Sequence, residues 1–345
     1  MRRVLIVKTS SMGDVIHTLP AVSDALAHQT DTVFDWVVEE DFAEVPAWHP
    51  AVARVIPVAI RRWRKNPRKL LSSGEWGRFR QLLGAASYDC VIDAQGLIKS
   101  ALLTRLVHAP RCGYDWRSAR EPLATLAYTQ RFSVEKEQHA VERTRTLFAQ
   151  VLHYEKPLAA PDYGIDRRIF IDENLEASER HVPYLLFLHG TTRANKHWPD
   201  DYWRMLCRLL CDASYRVLLP WWSDAEHRRA KQIASIHARA EVLPRAPLAG
   251  MAAVIASARA VVAVDTGLGH LCAALAVPTL SLYGSTSPKL VGAYGINQYH
   301  LNAQDFSAAS EKAASFEPLT PAIVFSRVQD MLANTHQQNN LTEPV

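Results

Sequence analysis

The chain has 345 residues, 48% hydrophobic and 21% charged, with a net charge of +4. That length exceeds one small domain and suggests two. The balance of residues excludes a disordered tail or a fibrous protein, and the small positive excess does not by itself require nucleic acid. Five scattered cysteines, with no C-x-x-C pair, exclude a disulfide framework and point to a reducing compartment. Cys207 and Cys211 have the i, i+4 spacing of a metal pair, but no second pair of ligands accompanies them. Met1–Lys8 is too short for a signal-peptide core. No window reaches the ~18 apolar residues of a membrane helix. The expected location is cytoplasmic, at most peripheral on a membrane.

In chain order, the pattern is a short apolar run, a turn, and a helical stretch. Val4–Val7 leads into Lys8-Thr9-Ser10-Ser11-Met12-Gly13-Asp14, then Val15, Leu19, Val22 and Leu26 at helical spacing. Val33–Val38 reads as a second strand, Arg54–Val58 as a third, and Cys90–Asp93 as a fourth before Ala94-Gln95-Gly96 and an apolar helix over 97–107. Prolines and charged clusters over 155–183 read as a linker or edge region. The rhythm restarts with Tyr184–Leu188 into His189-Gly190-Thr191-Thr192, Arg216–Leu219 into Pro220-Trp221-Trp222, Val261–Val264 into Asp265-Thr266-Gly267, and Thr279–Tyr283 into Gly284-Ser285-Thr286. Strands alternating with helices predict an α/β protein of two doubly wound Rossmann-like domains with parallel sheets. The predicted domains are 1–165 and 166–330, with a tail over 331–345. Ligands bind such sheets at the C-terminal strand ends, so the expected site is a cleft between the domains.

The first turn lacks both G-x-G-x-x-G and the P-loop pattern. It offers Asp14, a carboxylate at a helix start, which reads either as a helix cap or as a general base. The segment His189–Pro199 combines Gly190, the hydroxyls of Thr191 and Thr192, and Lys196 ahead of Trp198-Pro199. These are the parts of an anion site built without a metal. Asp265-Thr266-Gly267-Leu268-Gly269-His270 adds helix N–H groups for phosphate, and Asp265 and His270 for sugar hydroxyls. Glu226, opening the helix after Trp221-Trp222, suits a ribose diol. No D-x-D occurs, so no metal and no cofactor are expected. Arg61–Lys69 holds six basic residues in nine. Such a run reads as a solvated face, a nucleic-acid surface, or a surface for anionic lipid or a phosphorylated acceptor. Trp63, Trp76 and Leu70-Leu71 supply a nearby apolar partner that favours an amphiphile, and Arg117 and Arg120 extend the basic face.

Taken together, VLIVKTSSMGDVIHTLP, FDWVVEE, VIPVAIRRWRK, VIDAQGLIKS, EQHAVERTR, His189–Trp198 and VDTGLGHL resemble the lipopolysaccharide heptosyltransferase I family, inverting glycosyltransferases of GT-B type. The likeness spans roughly residues 2 to 330. It implies ADP-L-glycero-D-manno-heptose as donor and the inner octulosonic acid (Kdo) of Kdo–lipid A as acceptor, in inner-core synthesis. It implies that Asp14 is the catalytic base. It also implies that Thr191, Thr192, Lys196, Glu226, Asp265, Thr266, Gly267 and His270 hold the donor, with the backbone of Ala246 at adenine. Arg61, Arg62, Arg64, Lys65 and Arg120 are expected to meet the acceptor. The expected state is a monomer on the anionic cytoplasmic face of the inner membrane, binding no nucleic acid. Gly190, Gly269, Ala246, Ser285 and Ser287 depart from residues common in the family. The rival readings are a sibling enzyme adding the second heptose, a sugar-nucleotide epimerase or hydrolase on the same fold, and an RNA-binding module.

Overall fold

The computed structural model describes residues 1–66, 73–171, 183–191, 193–284, 286–306 and 316–340. The chain divides into two compact units, Met1–Ile165 and Asp166–Val345. Each carries one six-stranded, all-parallel sheet.

In the first unit the strands are β1 (Arg2–Val7), β2 (Thr32–Glu39), β3 (Val52–Val58), β4 (Cys90–Asp93), β5 (Arg111–Tyr114) and β6 (Gln130–Phe132). Their spatial order is β3-β2-β1-β4-β5-β6. The order reverses between β1 and β4, which pair directly with Val7 beside Asp93. Val4–Val7, Val91 and Ile92 are fully buried, because helices cover both faces of a parallel sheet and each strand must be apolar on both sides. One cover is the helix pair Leu19–His28 and Ala140–Leu152, joined by a buried bidentate ion pair. Arg145 donates to Asp24 at 2.7 and 3.2 Å and to Glu142 at 2.9 Å.

In the second unit β7 (Tyr184–Leu188), β8 (Arg216–Leu219), β9 (Ala240–Val242), β10 (Ala260–Val264), β11 (Thr279–Tyr283) and β12 (Gln298–Asn302) are ordered β12-β11-β10-β7-β8-β9. The reversal falls between β10 and β7. Cys207 and Cys211 both lie fully buried in this unit's apolar core with Phe187, Trp198 and Trp203.

Four strands carry no clear apolar run and escape the sequence reading: β5, β6, β9 and β12, at or next to the sheet edges. A strand open to solvent on one side needs less apolar surface. The predicted tail is also corrected. A helix runs from Pro321 to Asn340, and Val324, Val328, Met331 and Leu332 are buried in the unit's core. Their 3–4 spacing forms one apolar stripe that continues past residue 330. Residues 341–345 lie outside the described residues.

Candidate functional site

The first unit's reversal point is built by the loops after β1 and β4. Asp93, fully buried at the end of β4, fixes the second loop. Its Oδ1 accepts the N–H groups of Gln95 (2.9 Å) and Gly96 (3.1 Å), and its Oδ2 accepts the hydroxyls of Tyr128 (2.7 Å) and Ser100 (2.9 Å). Burial nonetheless pushes its carboxyl above the ordinary value. Gly96 sits at φ +68°, in the left-handed region that glycine adopts without strain. Gln95 then clasps the first loop. Its Oε1 accepts the N–H and hydroxyl of Thr9 at 2.8 Å each, and its Nε2 donates to the Ser10 carbonyl at 2.9 Å.

Asp14 lies in the helix Met12–Ile16. Its Oδ2 accepts from the N–H and the hydroxyl of Ser11, both at 2.9 Å. The two alternatives for Asp14 are therefore compatible, since one oxygen caps the helix and Oδ1 takes no part in the cap. Burial alone would raise its pKa. The attraction of Lys8, the two Ser11 bonds and the charge of Arg120 outweigh burial and hold it below the ordinary value. The carboxylate is ionised at neutral pH and accepts a proton only when one is forced on it. Lys8 is itself buried, donates to the Ala94 carbonyl at 2.8 Å, and has its pKa lowered by burial.

Around this point the basic residues divide. Arg120 is exposed and near enough to act on both Lys8 and Asp14. Lys99 donates to the Ser10 hydroxyl at 3.2 Å. Burial lowers its pKa, and the charges of Arg61 and Arg64 lower it further. Arg61 lies over the ring of Phe42, 5.2 Å from its centroid. Arg64 and Lys65 are exposed. Arg62 instead forks onto Glu40 (3.0 Å twice) and reaches Glu75 (2.8 Å), so its charge is already matched. Trp63 and Trp76, the apolar partner expected beside the basic run, are half-buried. Both rings pack with Phe79 at 5.7–6.0 Å, and Trp63 Nε1 donates to Glu75 at 2.7 Å. Packing the two indoles against the unit's core covers part of their large apolar surface. Leu70 and Leu71 lie outside the described residues.

In the second unit the loops after β7 and β10 meet in the same manner. The Lys196 ammonium is paired with Asp265 Oδ2, the Thr286 hydroxyl donates to that same oxygen at 2.9 Å, and the Thr191 hydroxyl donates to the Asp265 carbonyl at 3.1 Å. Thr266 is the N-cap of the helix Gly267–Ala274, and His270 is buried within that helix. Trp198 anchors the far end of the Lys196 loop by donating to the Leu319 carbonyl at 2.9 Å. Glu226 accepts the N–H groups of Trp222 (2.7 Å) and Ser223 (3.0 Å) through Oε2. Its Oε1 lies 2.4 Å from where a side-chain carbon on Gly190 would stand. The close approach that Gly190 permits is thus that of Glu226. Gly269 is roomier, with its nearest neighbour at 3.7 Å. Ala246 is half-buried just before the helix Leu248–Ser257. Thr192 and Ser285 lie outside the described residues.

Sequence reasoning gave no role to Lys8, Gln95 and Lys99, although all three stand inside the quoted stretches VLIVKTSSMGDVIHTLP and VIDAQGLIKS. The signal available was position: each lies within a few residues of the end of a central strand. It also missed the brace beneath the Lys196 loop. Arg229, anchored on Asp200 at 2.7 Å, donates to His197 Nδ1 at 2.9 Å, and the His197 ring in turn bonds to the backbone of His189.

Each unit thus sets a carboxylate beside a cation near its sheet's reversal point, Asp14 with Lys8 and Arg120 in the first and Asp265 with Lys196 in the second. The family model for glycosyltransferase family 9 (heptosyltransferase) matches residues 76–319. The chain belongs to that family. This glycosyltransferase is 58% identical over 319 residues to lipopolysaccharide heptosyltransferase 1 of Pseudomonas aeruginosa, covering 92% of this chain and 88% of the relative. It is 54% identical over 297 residues to the Escherichia coli K12 enzyme of the same name, covering 86% and 92%. Among solved structures, E. coli heptosyltransferase WaaC with ADP aligns at a TM-score of 0.88 and 49% identity, over 95% of this chain and 99% of that one. The same enzyme with ADP-2-deoxy-2-fluoro heptose aligns at 0.84 over the same shares. The heptosyltransferase is thus a GT-B enzyme of lipopolysaccharide inner-core synthesis.

Proposed function

We propose that this heptosyltransferase moves L-glycero-D-manno-heptose from ADP-heptose to the inner Kdo of Kdo–lipid A, with inversion and without a metal. The observation that carries the reading is Asp14. It is a carboxylate kept ionised by Lys8 and Ser11 at a sheet's reversal point, with Arg120 beside it to meet an acidic sugar.

In this mechanism Asp14 takes the proton of the Kdo hydroxyl as that oxygen attacks the anomeric carbon of heptose. The new C–O bond forms as the bond to the diphosphate breaks, and the electron pair leaves with ADP. Lys196 exchanges Asp265 for the diphosphate. The hydroxyls of Thr191 and Thr192, and the N-terminus of the helix after Thr266-Gly267, share the developing charge. Asp265, freed of Lys196, accepts from heptose hydroxyls beside His270, and Glu226 reads the ribose. Arg61, Arg64, Lys65 and Arg120 hold the acidic acceptor at the cytoplasmic face of the membrane. Among the described residues no helix is long and apolar enough to cross a membrane.

The test is incubation of the purified chain with ADP-heptose and Kdo–lipid A in EDTA, read by mass spectrometry for one added heptose. Loss of transfer in EDTA, or acceptor-independent breakdown of the donor, counts against this reading.

A further inference from the structure

The helix Ile98–Thr104 and the 3-10 segment Pro122–Ala127 lie against one another through small residues. Ala101 meets Ala124 and Ala127, with Tyr128 beneath them. Leu103 packs into the core, but the other large aliphatic residues of both segments turn the other way. Leu102 is 57% exposed, Leu123 57% and Leu126 69%, with Ile98 and Leu106 close behind at 41% and 38%. Single exposed leucines are ordinary. Five large aliphatic side chains on two adjoining segments make a patch, and such patches mark a contact surface.

Charge around the patch points to its occupant. Residues 98–126 hold five lysines and arginines (Lys99, Arg105, Arg111, Arg117, Arg120) against two acids. Both acids face the backbone: Asp115 accepts from the Ser118 N–H at 2.8 Å and Glu121 from the Ile98 N–H at 2.7 Å. A second copy of the chain docking here would bring like charges together. An anionic bilayer would satisfy both the leucines and the cations.

The patch is also continuous with the Asp14 site. Lys99, between Ile98 and Ser100 on the helix, reaches the Ser10 hydroxyl, and the Glu121 N–H donates to the Gly96 carbonyl at 2.9 Å. An acceptor whose sugar sits at Asp14 while its acyl chains stay in a membrane requires apolar protein beside that loop. Trp63 and Trp76 are half-buried against the core, whereas this face exposes its leucines more fully and supplies it.

We propose that Ile98, Leu102, Leu106, Leu123 and Leu126 form the surface by which the enzyme seats on an anionic lipid bilayer, presenting Asp14 to a membrane-embedded acceptor. The inference rests on the acceptor proposed above. The test compares the full-length chain with the triple variant Leu102→Gln, Leu123→Gln, Leu126→Gln by co-sedimentation with vesicles of phosphatidylethanolamine and phosphatidylglycerol, and with vesicles of phosphatidylcholine alone. The wild-type chain is expected to partition onto the anionic vesicles and poorly onto the neutral ones. The variant should lose about tenfold or more of that partitioning while keeping its melting temperature and its turnover on an acyl-free Kdo-glucosamine acceptor. A wild-type chain that ignores anionic vesicles overturns the proposal, as does a variant that binds them equally well. A wild-type dimer that the substitutions dissociate, with vesicle binding unchanged, assigns the face to a second copy instead. If the wild-type chain transfers no heptose to the acyl-free acceptor, the proposed function fails, and the vesicle measurement still decides the face.

Discussion

Lys196 and Asp265 neutralise one another across the reversal point of the second sheet, with the Thr286 hydroxyl sharing the carboxylate. Lysine offers a compact, movable charge, so a diphosphate can take the ammonium from Asp265 without displacing backbone. Lys196→Ala is expected to weaken ADP binding by roughly 10- to 100-fold, the range of one charge-assisted bond, with a matching loss in donor kcat/KM. Calorimetric titration with ADP measures the first term and initial rates the second.

Asp14 is expected to act on rate and not on donor affinity. Asp14→Asn should cost ~10²–10⁴ in kcat, the worth of a positioned base, while ADP affinity is unchanged. Its folded pKa is depressed, so the stability contributed by its charge is present at neutral pH and is lost as pH falls through the folded value. Lys8→Met removes the leading attraction on that carboxylate. The acid limb of the kcat/KM profile should then move to higher pH than in the wild-type enzyme. A profile that does not move would show that Lys8 leaves the base untouched.

The two glycines of the donor loops should respond differently. Ala at 190 meets Glu226 Oε1. The fold absorbs this because the far end of a flexible side chain gives way. The displaced carboxylate should raise the donor KM by about fivefold, the worth of one ordinary hydrogen bond. At 269 the nearest atom is 3.7 Å away, inside a helix, so Gly269→Ala should stabilise the unit by about 0.5–1 kcal/mol. Thermal melts read one variant and donor kinetics the other.

Among the basic residues, Arg62 is expected to stand apart. With Glu40 and Glu75 already on its guanidinium, Arg62→Ala should leave the acceptor KM within about twofold, since a matched charge adds little to the field beyond it. Arg64→Ala and Arg120→Ala should raise the acceptor KM severalfold, and added salt should shrink that difference. Equal effects at 62 and 64 would contradict the pairing as the cause.

Arg229 is expected to position the donor loop. Its guanidinium can only donate, so His197 accepts through Nδ1 and stays neutral, in keeping with a pKa lowered by burial and by Arg229 itself. Arg229→Met unties that ring from the loop bearing Thr191 and Lys196. Donor KM should rise about tenfold with kcat less affected, and acceptor KM should hold steady.

The central strands were legible because a parallel strand covered on both faces has to be apolar throughout; Cys90–Asp93, Tyr184–Leu188, Arg216–Leu219 and Thr279–Tyr283 were read from that run alone. The edge strands β6, β9 and β12 were not, because a strand with one open side is specified by its neighbour and not by its own residues. The chemistry-bearing loops were legible for a related reason. In a doubly wound sheet the residues after β1, β7 and β10 arrive at a strand end whatever else happens, so the placement of Asp14, Lys196 and Asp265 could be read from order, while their roles were read from the family resemblance.

What those residues do to one another was settled only by the tertiary structure. Sequence order does not say that Asp14 caps its helix while Lys8 holds it ionised, nor that Glu226 fills the space of a side chain at Gly190. The basic run shows the same division. Its composition was plain in Arg61–Lys65, but the structure spends Arg62 on two glutamates and half-buries Trp63 against the core, while more exposed leucines stand about forty and sixty residues on, at Leu102 and Leu123. The physical reason is range. Backbone pattern and burial repeat locally along the chain, whereas charge pairing and side-chain packing depend on which segments the fold brings within a few ångströms.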